Sequence, residues 1–362
     1  HLLFTGSRHI PPGKAEQYIE SMGGSFIGHT NRDFCYIGVT IPGPGWQRAE
    51  DILYDMVAKP LFYPEEVEKQ RKVVLLEEKE KRTDPEKALI DNIFARSYGS
   101  HPYKNSIVGK ESDITGFTRE DAISFYGRTW TPSNMTVVMV GDVRPAEARA
   151  AVEKTFGTLP PAGFRRPKVP SEPFQVIKRE IKAEMPVSVG YAAMGWHICA
   201  ASDDDIYPLD VLGAVLGNGR GSRLFLDLRE REGLVYEIST RLFPLKDPGI
   251  LMIVATLKPD DTGDFVDEVL KQVNRLKDEP VSDEELSRAI KEIESTHLIN
   301  IETAEGQAFS LGYWATVYGG ADLSQYIHNI RKVTAQDIRR VAQKYLGEGD
   351  YTLSEINPRN QQ

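Results

Sequence analysis

A carboxylate on one predicted helix is the first group in this sequence that could do chemistry. The segment from 64 to 82 opens with a proline and two glutamates, a favourable first turn because anions suit the positive end of a helix. At about 100° per residue, Gln70 and Glu77 lie within roughly 20° of each other, on the face that carries Val73 and Val74. An unpaired carboxylate buried there would cost several kcal/mol, so it needs a metal ion or an arginine as partner. A plain salt bridge, or a buried stripe displaced by one residue, remains the alternative.

The cysteine count restricts the kind of metal site that is possible. The chain has two cysteines, Cys35 and Cys199, too few for a disulfide scaffold or a cysteine-rich zinc module. Any metal site must therefore use histidine, aspartate or glutamate. The chain has seven histidines, and of these His297 is expected to be a packed or solvated side chain.

The opening of the chain carries a family resemblance. The segment His1-Leu2-Leu3-Phe4-Thr5-Gly6-Ser7 resembles the stretch that begins at the last histidine of the inverted zinc motif H-x-x-E-H in the pitrilysin, insulinase and mitochondrial-processing-peptidase family. Glu77 lies 76 positions after His1, the spacing at which that family places its third zinc ligand. Five further segments resemble the family in the same order: His101-Pro102-Tyr103, Trp130-Thr131-Pro132-Ser133-Asn134-Met135, Val140-Gly141-Asp142, Ser222-Arg223-Leu224-Phe225 and Gly233-Leu234-Val235-Tyr236.

The resemblance implies a zinc metallopeptidase with zinc as its cofactor. In the family, two histidines and a distant glutamate bind the metal, and a glutamate between the histidines is the general base. Of these four groups the chain has His1 and Glu77, and the other two would precede residue 1. We therefore expect the chain to bind zinc poorly and to leave peptides uncut. For its parent protein, the resemblance implies a zinc-dependent endopeptidase of peptides or unfolded segments. Gln70 stands where family members often have an acidic residue, which predicts an altered rate or a partly degenerate site.

Two residues of the second half match the family's substrate-binding pair. Arg229 and Tyr236 are seven positions apart, as are the arginine and tyrosine of the family's carboxy-terminal domain. The resemblance implies that the tyrosine donates a hydrogen bond to the oxyanion of the tetrahedral intermediate and that the arginine holds a substrate carbonyl. The alternative is an arginine on a helix surface and a tyrosine whose ring is buried in a sheet.

A predicted edge strand provides a place for an extended substrate. The segment that matches the family's peptide-binding strand contains Ser25, Phe26, Ile27 and Gly28. An extended peptide can add to such an edge through backbone hydrogen bonds with loose sequence preference. Family members commonly have Asn-Ala at the positions of Ile27 and Gly28. The alternative is a structural edge strand that Gly28 and a following charged pair protect from aggregation.

The elements that must position these groups can be predicted from periodicity. Helices are expected over 12–22, 46–57, 64–82 continuing toward Ala95, 118–129, 206–216 and 223–232. Strands are expected over 26–41, as a hairpin or edge strand, and over 135–140, 187–194, 236–243 and 250–256. The apolar run 135–140 is typical of a strand in the centre of a sheet.

Several positions recur along the chain at a constant offset. Thr118, Asp121 and Thr136 correspond to Thr334, Asp337 and Thr352, each 216 positions later, and this indicates a duplicated unit. The proline-rich stretch 157–173 cannot form a regular element and is the predicted linker. We therefore expect an α+β fold of two duplicated domains, 1–156 and 174–362, each a mainly antiparallel sheet covered by helices.

The net charge of the chain argues against two classes of binding partner. The net charge of −9 gives phosphate backbones and anionic membranes no net attraction, so neither nucleic acid nor a membrane is an expected partner. The candidate zinc ligands and the candidate substrate-binding pair occur on one chain. A homodimer would therefore most simply complete the family's enclosing chamber, and a heterodimer remains possible. The opening residues lack Met and any signal-peptide pattern, which leaves the compartment open between cytoplasm and periplasm.

Two other functions compete with the peptidase. A non-catalytic peptide-binding or scaffold subunit of the same family is favoured by Gln70 and Ile27 and opposed by Glu77, Arg229 and Tyr236. A nucleotide-binding enzyme would depend on the glycine-rich turn 217–222. That turn lacks the lysine of a phosphate loop and no long strand leads into it, so we interpret it as a turn before a helix.

Overall fold

The computed structural model describes residues 1–320 and 324–359. The first half contains, in chain order, α1 Lys14–Ser21, β1 Ser25–Thr30, β2 Cys35–Thr40, α2 Trp46–Ala58, α3 Pro64–Thr83, α4 Pro85–Ser97, α5 Glu111–Gly116, α6 Arg119–Thr129 and α7 Pro145–Lys154. The second half contains β3 Arg179–Met185, β4 Gly190–His197, α8 Ile206–Gly217, β5 Val235–Phe243, β6 Ile250–Leu257, α9 Thr262–Asp278, α10 Asp283–Asn300, α11 Ala304–Val317, α12 Ser324–Lys332, α13 Ala335–Tyr345 and β7 Thr352–Pro358.

The chain forms two compact units, and each takes segments from both halves of the sequence. The first unit contains His1–Lys79, Ile107–Lys168 and Asn300–Thr316. The second contains Glu80–Ser106, Val169–Ile299 and the chain from Val317 onward. The division at a linker over 157–173 stays a prediction, and no strand lies within those residues.

The second unit is a sheet with helices on both faces. Its strand order is β3-β7-β4-β6-β5, with β3 parallel to β7 and the other neighbours antiparallel. On one face, buried side chains of α8, α9 and α13 pack around Trp196. On the other, Ile93 and Phe94 of α4 pack against β4 and β6. Gly195 permits this approach, because a Cβ there would lie 2.8 Å from the Ile93 side chain.

The first unit is built mainly of helices around one hairpin. Strands β1 and β2 pair antiparallel, with Ile27 opposite Gly38. A small apolar core holds α1 and α2 against this hairpin through Ile19, Ile52 and Met56, with Phe26 packed beside them. The predicted hairpin is confirmed.

Corresponding helix ends support the predicted duplication. Thr118 caps α6 and Thr334 caps α13, each with a complete capping box in which Asp121 or Asp337 reaches back to the cap residue. Both helices have 11 residues. Together with the mainly antiparallel second sheet and its covering helices, this confirms the predicted α+β class.

Three predicted elements differ from the structure. Residues 135–140 are not in a strand, because an apolar run becomes a strand only where a neighbouring strand supplies its ladder. The predicted long helix is interrupted at Asp84, whose side chain accepts hydrogen bonds from the N–H groups of Glu86 and Lys87 and starts α4 anew at Pro85. The helix expected over 223–232 is π-helical from Phe225 to Arg231.

Candidate active site

His1 and Glu77 meet in the first unit. His1 Nε2 lies 3.3 Å from Glu77 Oε1, and the two side chains are 40% and 45% exposed. The other ring nitrogen, Nδ1, donates a hydrogen bond to Oε1 of Gln70 at 3.1 Å. The structure therefore brings together the three residues that the sequence singled out.

The segment that carries His1 is fixed to helix α2 by one buried carboxylate. Asp55 accepts hydrogen bonds from the Ser7 hydroxyl, from His9 Nδ1 at 2.6 Å and from the His9 backbone N–H at 3.1 Å. Burial raises the pKa of Asp55, but the hydrogen bonds from Ser7 and His9 outweigh it and leave the pKa below its usual value. Sequence analysis missed Asp55, because no local pattern shows that helix α2 packs against the segment that contains Ser7 and His9.

Glu77 lies on a more exposed part of helix α3 than the sequence predicted. Its buried residues are Val67 and Glu78, so the buried stripe is displaced by one residue and Glu77 lies at its exposed border. Gln70 and Glu77 nevertheless share a face, because seven residues are nearly two helical turns. A half-exposed carboxylate needs no buried arginine, which leaves it available to a ligand.

The donor atoms of His1 and Glu77 suit a zinc ion. Zinc ligands lie about 2.0–2.2 Å from the metal, so two ligands at tetrahedral angles are separated by about 3.4 Å, close to the observed 3.3 Å. Among residues 1–320 and 324–359, no group of three His, Cys, Asp or Glu side chains could hold a metal ion. The pair therefore fits as two ligands of a zinc site that needs a third.

Strand β1 lies beside the segment that carries His1. A Cβ at Gly28 would be 3.0 Å from the ring of Phe4, whose ring packs edge-on against that of Phe26. The glycine at this position is therefore required by a close approach. Asn31 N donates to Phe34 O across the hairpin, so by the alternation along a strand the backbone groups of Phe26 and Gly28 point away from β2. In the described residues β1 pairs only with β2, and no second strand meets this edge.

Arg229 lies on the π-helical turn of the second unit. Its guanidinium is 4.9 Å from the centre of the Phe225 ring, within cation–π range. Asp227 fixes the turn by accepting hydrogen bonds from Arg231 and from Gln272 on α9, the second at 2.7 Å. π-Helical turns are frequent at functional sites. The anchor, Asp227, was not identified from sequence, because its carboxylate looked like one member of an ordinary charged run.

Tyr236 lies at an irregularity of strand β5. The register of β5 against β6 shifts between Val235 and Glu237, so Tyr236 is the extra residue of a β-bulge. Its side chain is exposed, and the expected alternative of a buried ring is therefore wrong. Bulges often direct a side chain toward a site. A hydrogen bond from Leu234 N to Leu228 O at 2.8 Å ties the strand to the turn that carries Arg229.

Comparison with known families identifies the class of protein. The family described as Insulinase (Peptidase family M16) matches residues 1–111, and that described as Peptidase M16 inactive domain matches residues 116–293. The chain belongs to the insulinase family, peptidase family M16. The predicted resemblance is thereby confirmed.

Individual relatives agree with this assignment. An uncharacterized zinc protease of Streptomyces coelicolor is 23% identical over 366 residues, covering 99% of this chain and 79% of the relative. A protein of Arabidopsis thaliana named as mitochondrial-processing peptidase subunit beta is 24% identical over 99% of this chain and 69% of its own length. The crystal structure of a protease from Helicobacter pylori has a TM-score of 0.92 at 21% identity, over 99% of this chain and 87% of that one, which shows a shared fold.

The helices were also compared with the requirements of a membrane span. Within the described ranges, none combines the length and the apolar character needed to cross a bilayer.

Proposed function

We propose that the protein is a zinc-dependent endopeptidase that cuts peptides or unfolded segments by attack of water. The observation that carries this proposal is the approach of His1 Nε2 to Glu77 Oε1 at 3.3 Å in a chain whose relatives are named zinc proteases. The family's first histidine and general base would stand directly before His1.

His1 and Glu77 would hold the metal, and Gln70 would orient the imidazole. Because Nδ1 donates its proton to Gln70, the neutral imidazole carries its free lone pair on Nε2. That lone pair is the one that would bind a metal ion. When bound, zinc polarises a peptide carbonyl and activates a water for attack. An amide can perform the orienting task as a carboxylate does, although it adds no negative charge to the site.

Arg229 and Tyr236 would act on the substrate in the second unit. The exposed tyrosine hydroxyl can donate a hydrogen bond to a developing oxyanion, and the guanidinium can donate to a substrate carbonyl. Their placement on a π-helical turn and a β-bulge supports this assignment. Neither feature is needed for an ordinary surface arginine or sheet tyrosine.

The free edge of β1 would receive the substrate. An extended peptide can pair with the backbone of residues 25–28, and Gly28 keeps the strand close to Phe4 near His1. Because such pairing uses backbone groups, we propose loose sequence preference. The substrate is thus a peptide or an unfolded chain, with neither nucleic acid nor membrane as a partner, in keeping with the net charge of −9. A homodimer is the proposed assembly, with a heterodimer as the alternative.

A second candidate is a non-catalytic subunit that binds peptides without cutting them. It is favoured by Gln70, which replaces an acidic residue, and by Ile27, which stands where family members commonly have asparagine. The codons upstream of His1 separate the two functions. H-x-x-E directly before His1 supports the peptidase, and substituted positions support the non-catalytic subunit.

Cleavage of a quenched fluorogenic peptide by the protein expressed from its complete gene tests the function. Glu77→Gln should abolish cleavage, because an amide is a much poorer zinc ligand than a carboxylate. Glu80→Gln is the matched control, since Glu80 is another exposed carboxylate of α3. If wild type and Glu77→Gln cleave equally, the zinc assignment is wrong.

A further inference from the structure

Strand β3 presents an open backbone edge in the second unit. It is the outer strand of the sheet formed by the described residues. Arg179 N donates to Tyr351 O at 3.1 Å, and Met185 O accepts from Arg359 N at 2.7 Å. Because a strand's backbone groups alternate in direction, residues 180, 182 and 184 point theirs away from the sheet. At one end of this edge, Arg359 Nη2 donates a hydrogen bond to Glu184 O at 3.4 Å.

The side chains along this edge alternate in charge. Lys178, Glu180, Lys182 and Glu184 follow each other at every second position, and the last three are exposed. Lys178 pairs with Glu180, and Lys182 lies 3.2 Å from Glu355 on β7. Exposed ion pairs of this kind contribute little by themselves, so these side chains can also engage a second partner.

The alternation is self-complementary in one antiparallel register. If Ile181 faces Ile181 of a second copy, Glu180 lies opposite the copy's Lys182, and Lys178 opposite its Glu184. Two-fold symmetry repeats each contact, so each of these four side chains meets an opposite charge. In the neighbouring register, centred on Lys182, like charges would face each other and repel. Both registers use the outward backbone groups, so the charges select between them.

An apolar segment continues the edge toward the amino terminus. Phe174, Val176 and Ile177 are 89%, 79% and 67% exposed. The segment is held in place, because Gln175 Oε1 accepts a hydrogen bond from Thr352 at 3.1 Å. Just upstream, Glu172 accepts three backbone hydrogen bonds from residues 99–101 at 2.8–2.9 Å. A fixed run of exposed apolar side chains marks an interaction surface.

The same register brings part of the apolar segment opposite the second copy. With Ile181 on the two-fold axis, Val176 lies opposite the exposed Pro186 of the second copy, and Ile177 lies opposite Met185, whose side chain is buried in its own core. The contact surface would then run from the apolar segment through the whole of β3.

We propose that two copies of the chain associate by antiparallel pairing of their β3 edges, with Ile181 on the two-fold axis. This interface rests on the homodimer put forward under the proposed function and is independent of the zinc chemistry. The paired edges form one continuous ten-stranded sheet from the two five-stranded sheets.

Sedimentation velocity of the protein expressed from its complete gene tests the interface by charge. The wild type should sediment as a dimer, and Lys182→Glu should raise the dimer dissociation constant at least about tenfold, because two attractive pairs become repulsive. The double variant Glu180→Lys/Lys182→Glu restores the two intermolecular pairs between positions 180 and 182 and should recover dimerisation relative to Lys182→Glu, although it places like charges beside Lys178 and Glu355 within the chain. Glu237→Lys on β5, at the other edge of the sheet, is the matched control and should have no effect.

Cysteine cross-linking tests the register. In a Cys35→Ser background, Ile181→Cys should form an intermolecular disulfide, because facing residues on an axis bring their Cβ atoms close. Ala183→Cys should not, since it would face Arg179. Lys182→Pro removes an outward N–H and should give a folded monomer.

A wild-type protein that sediments as a monomer, a dimer indifferent to Lys182→Glu and Lys182→Pro, or cross-linking at position 183 instead of 181 would overturn the proposal. Peptide cleavage measured on the same samples separates the two claims. A monomer that cleaves peptides overturns this interface and leaves the zinc peptidase standing.

Discussion

His1 Nε2 lies 3.3 Å from Glu77 Oε1, although one atom belongs to the first residue of the chain and the other to the fourth turn of α3. The separation suits two ligands of one tetrahedral metal ion. The opposite ring nitrogen is engaged by Gln70 at 3.1 Å, so the imidazole is held from both sides.

Removing the orienting amide should weaken metal binding. We predict that Gln70→Ala lowers zinc affinity about 10- to 100-fold, because the His1 ring loses the acceptor that fixes its tautomer. Competition with a chromophoric chelator, using the protein expressed from its complete gene, measures this. Gln70→Glu keeps an acceptor and should bind zinc at least as well as wild type. Unchanged affinity in Gln70→Ala would show that the amide has no orienting role.

Tyr236 should matter for the chemical step and little for folding. Tyr236→Phe removes one hydroxyl from an exposed bulge residue, so we expect kcat to fall about 10²-fold with KM nearly unchanged. Steady-state kinetics on a fluorogenic peptide gives both values, and thermal unfolding should be the same for both proteins. A change confined to KM would instead assign the tyrosine to ground-state binding.

The duplicated capping boxes should contribute similarly to stability. Thr334→Ala removes the side-chain acceptor for the N–H of Asp337 and should destabilise the second unit by about 1 kcal/mol. Thr118→Ala should have a comparable effect in the first. Urea unfolding measures both, and Thr334→Ser should retain most of the stability. An alanine variant as stable as its serine counterpart would contradict the assigned role of the cap.

Sequence patterns predicted the elements whose signals are local. The helix over 118–129 and the hairpin within 26–41 needed only nearby residues. The break at Asp84 had a readable signal in Asp-Pro, which sequence analysis overlooked. By contrast, 135–140 shows that an apolar run says nothing about whether a partner strand is available. Pairing of β3 with β7 joins residues at the two ends of the second half, and no local pattern encodes it.

The sequence predicted the candidate metal ligands but missed the residues that hold them in place. His1 and Glu77 were found because the resemblance supplied their spacing, and the structure then brought them together. Asp55 and Asp227 were missed, since a carboxylate that anchors a segment is indistinguishable in sequence from one in solvent. The π-helical turn at Arg229 depends on how Asp227 engages Gln272 on α9, which is a tertiary contact.

One ion pair should make the second unit sensitive to acid. Arg223 donates two hydrogen bonds to the carboxylate of Glu285, from Nε at 2.6 Å and from Nη2 at 3.0 Å. These hydrogen bonds lower the pKa of Glu285 to about 2. Because the folded-state pKa lies below the unfolded value of about 4.3, the contribution is complete above pH 4.3 and is lost as the pH falls toward 2.

The corresponding variant is Glu285→Gln, which should lower the free energy of unfolding by about 2 kcal/mol at pH 7. The difference from wild type should shrink steadily between about pH 4.5 and pH 2. Asp283→Asn in the same helical turn is the control, with little pH-dependent difference expected. A Glu285→Gln penalty that is the same at both ends of this range would contradict the assigned pair.

The most direct test of the metal assignment is a crystal structure of the zinc-loaded protein expressed from its complete gene, with anomalous scattering measured at the zinc edge. We predict one strong anomalous peak between His1 Nε2 and Glu77, about 2.0–2.2 Å from each ligand atom, and no peak in Glu77→Gln. A zinc peak elsewhere, with His1 and Glu77 still bonded directly to each other, would contradict it.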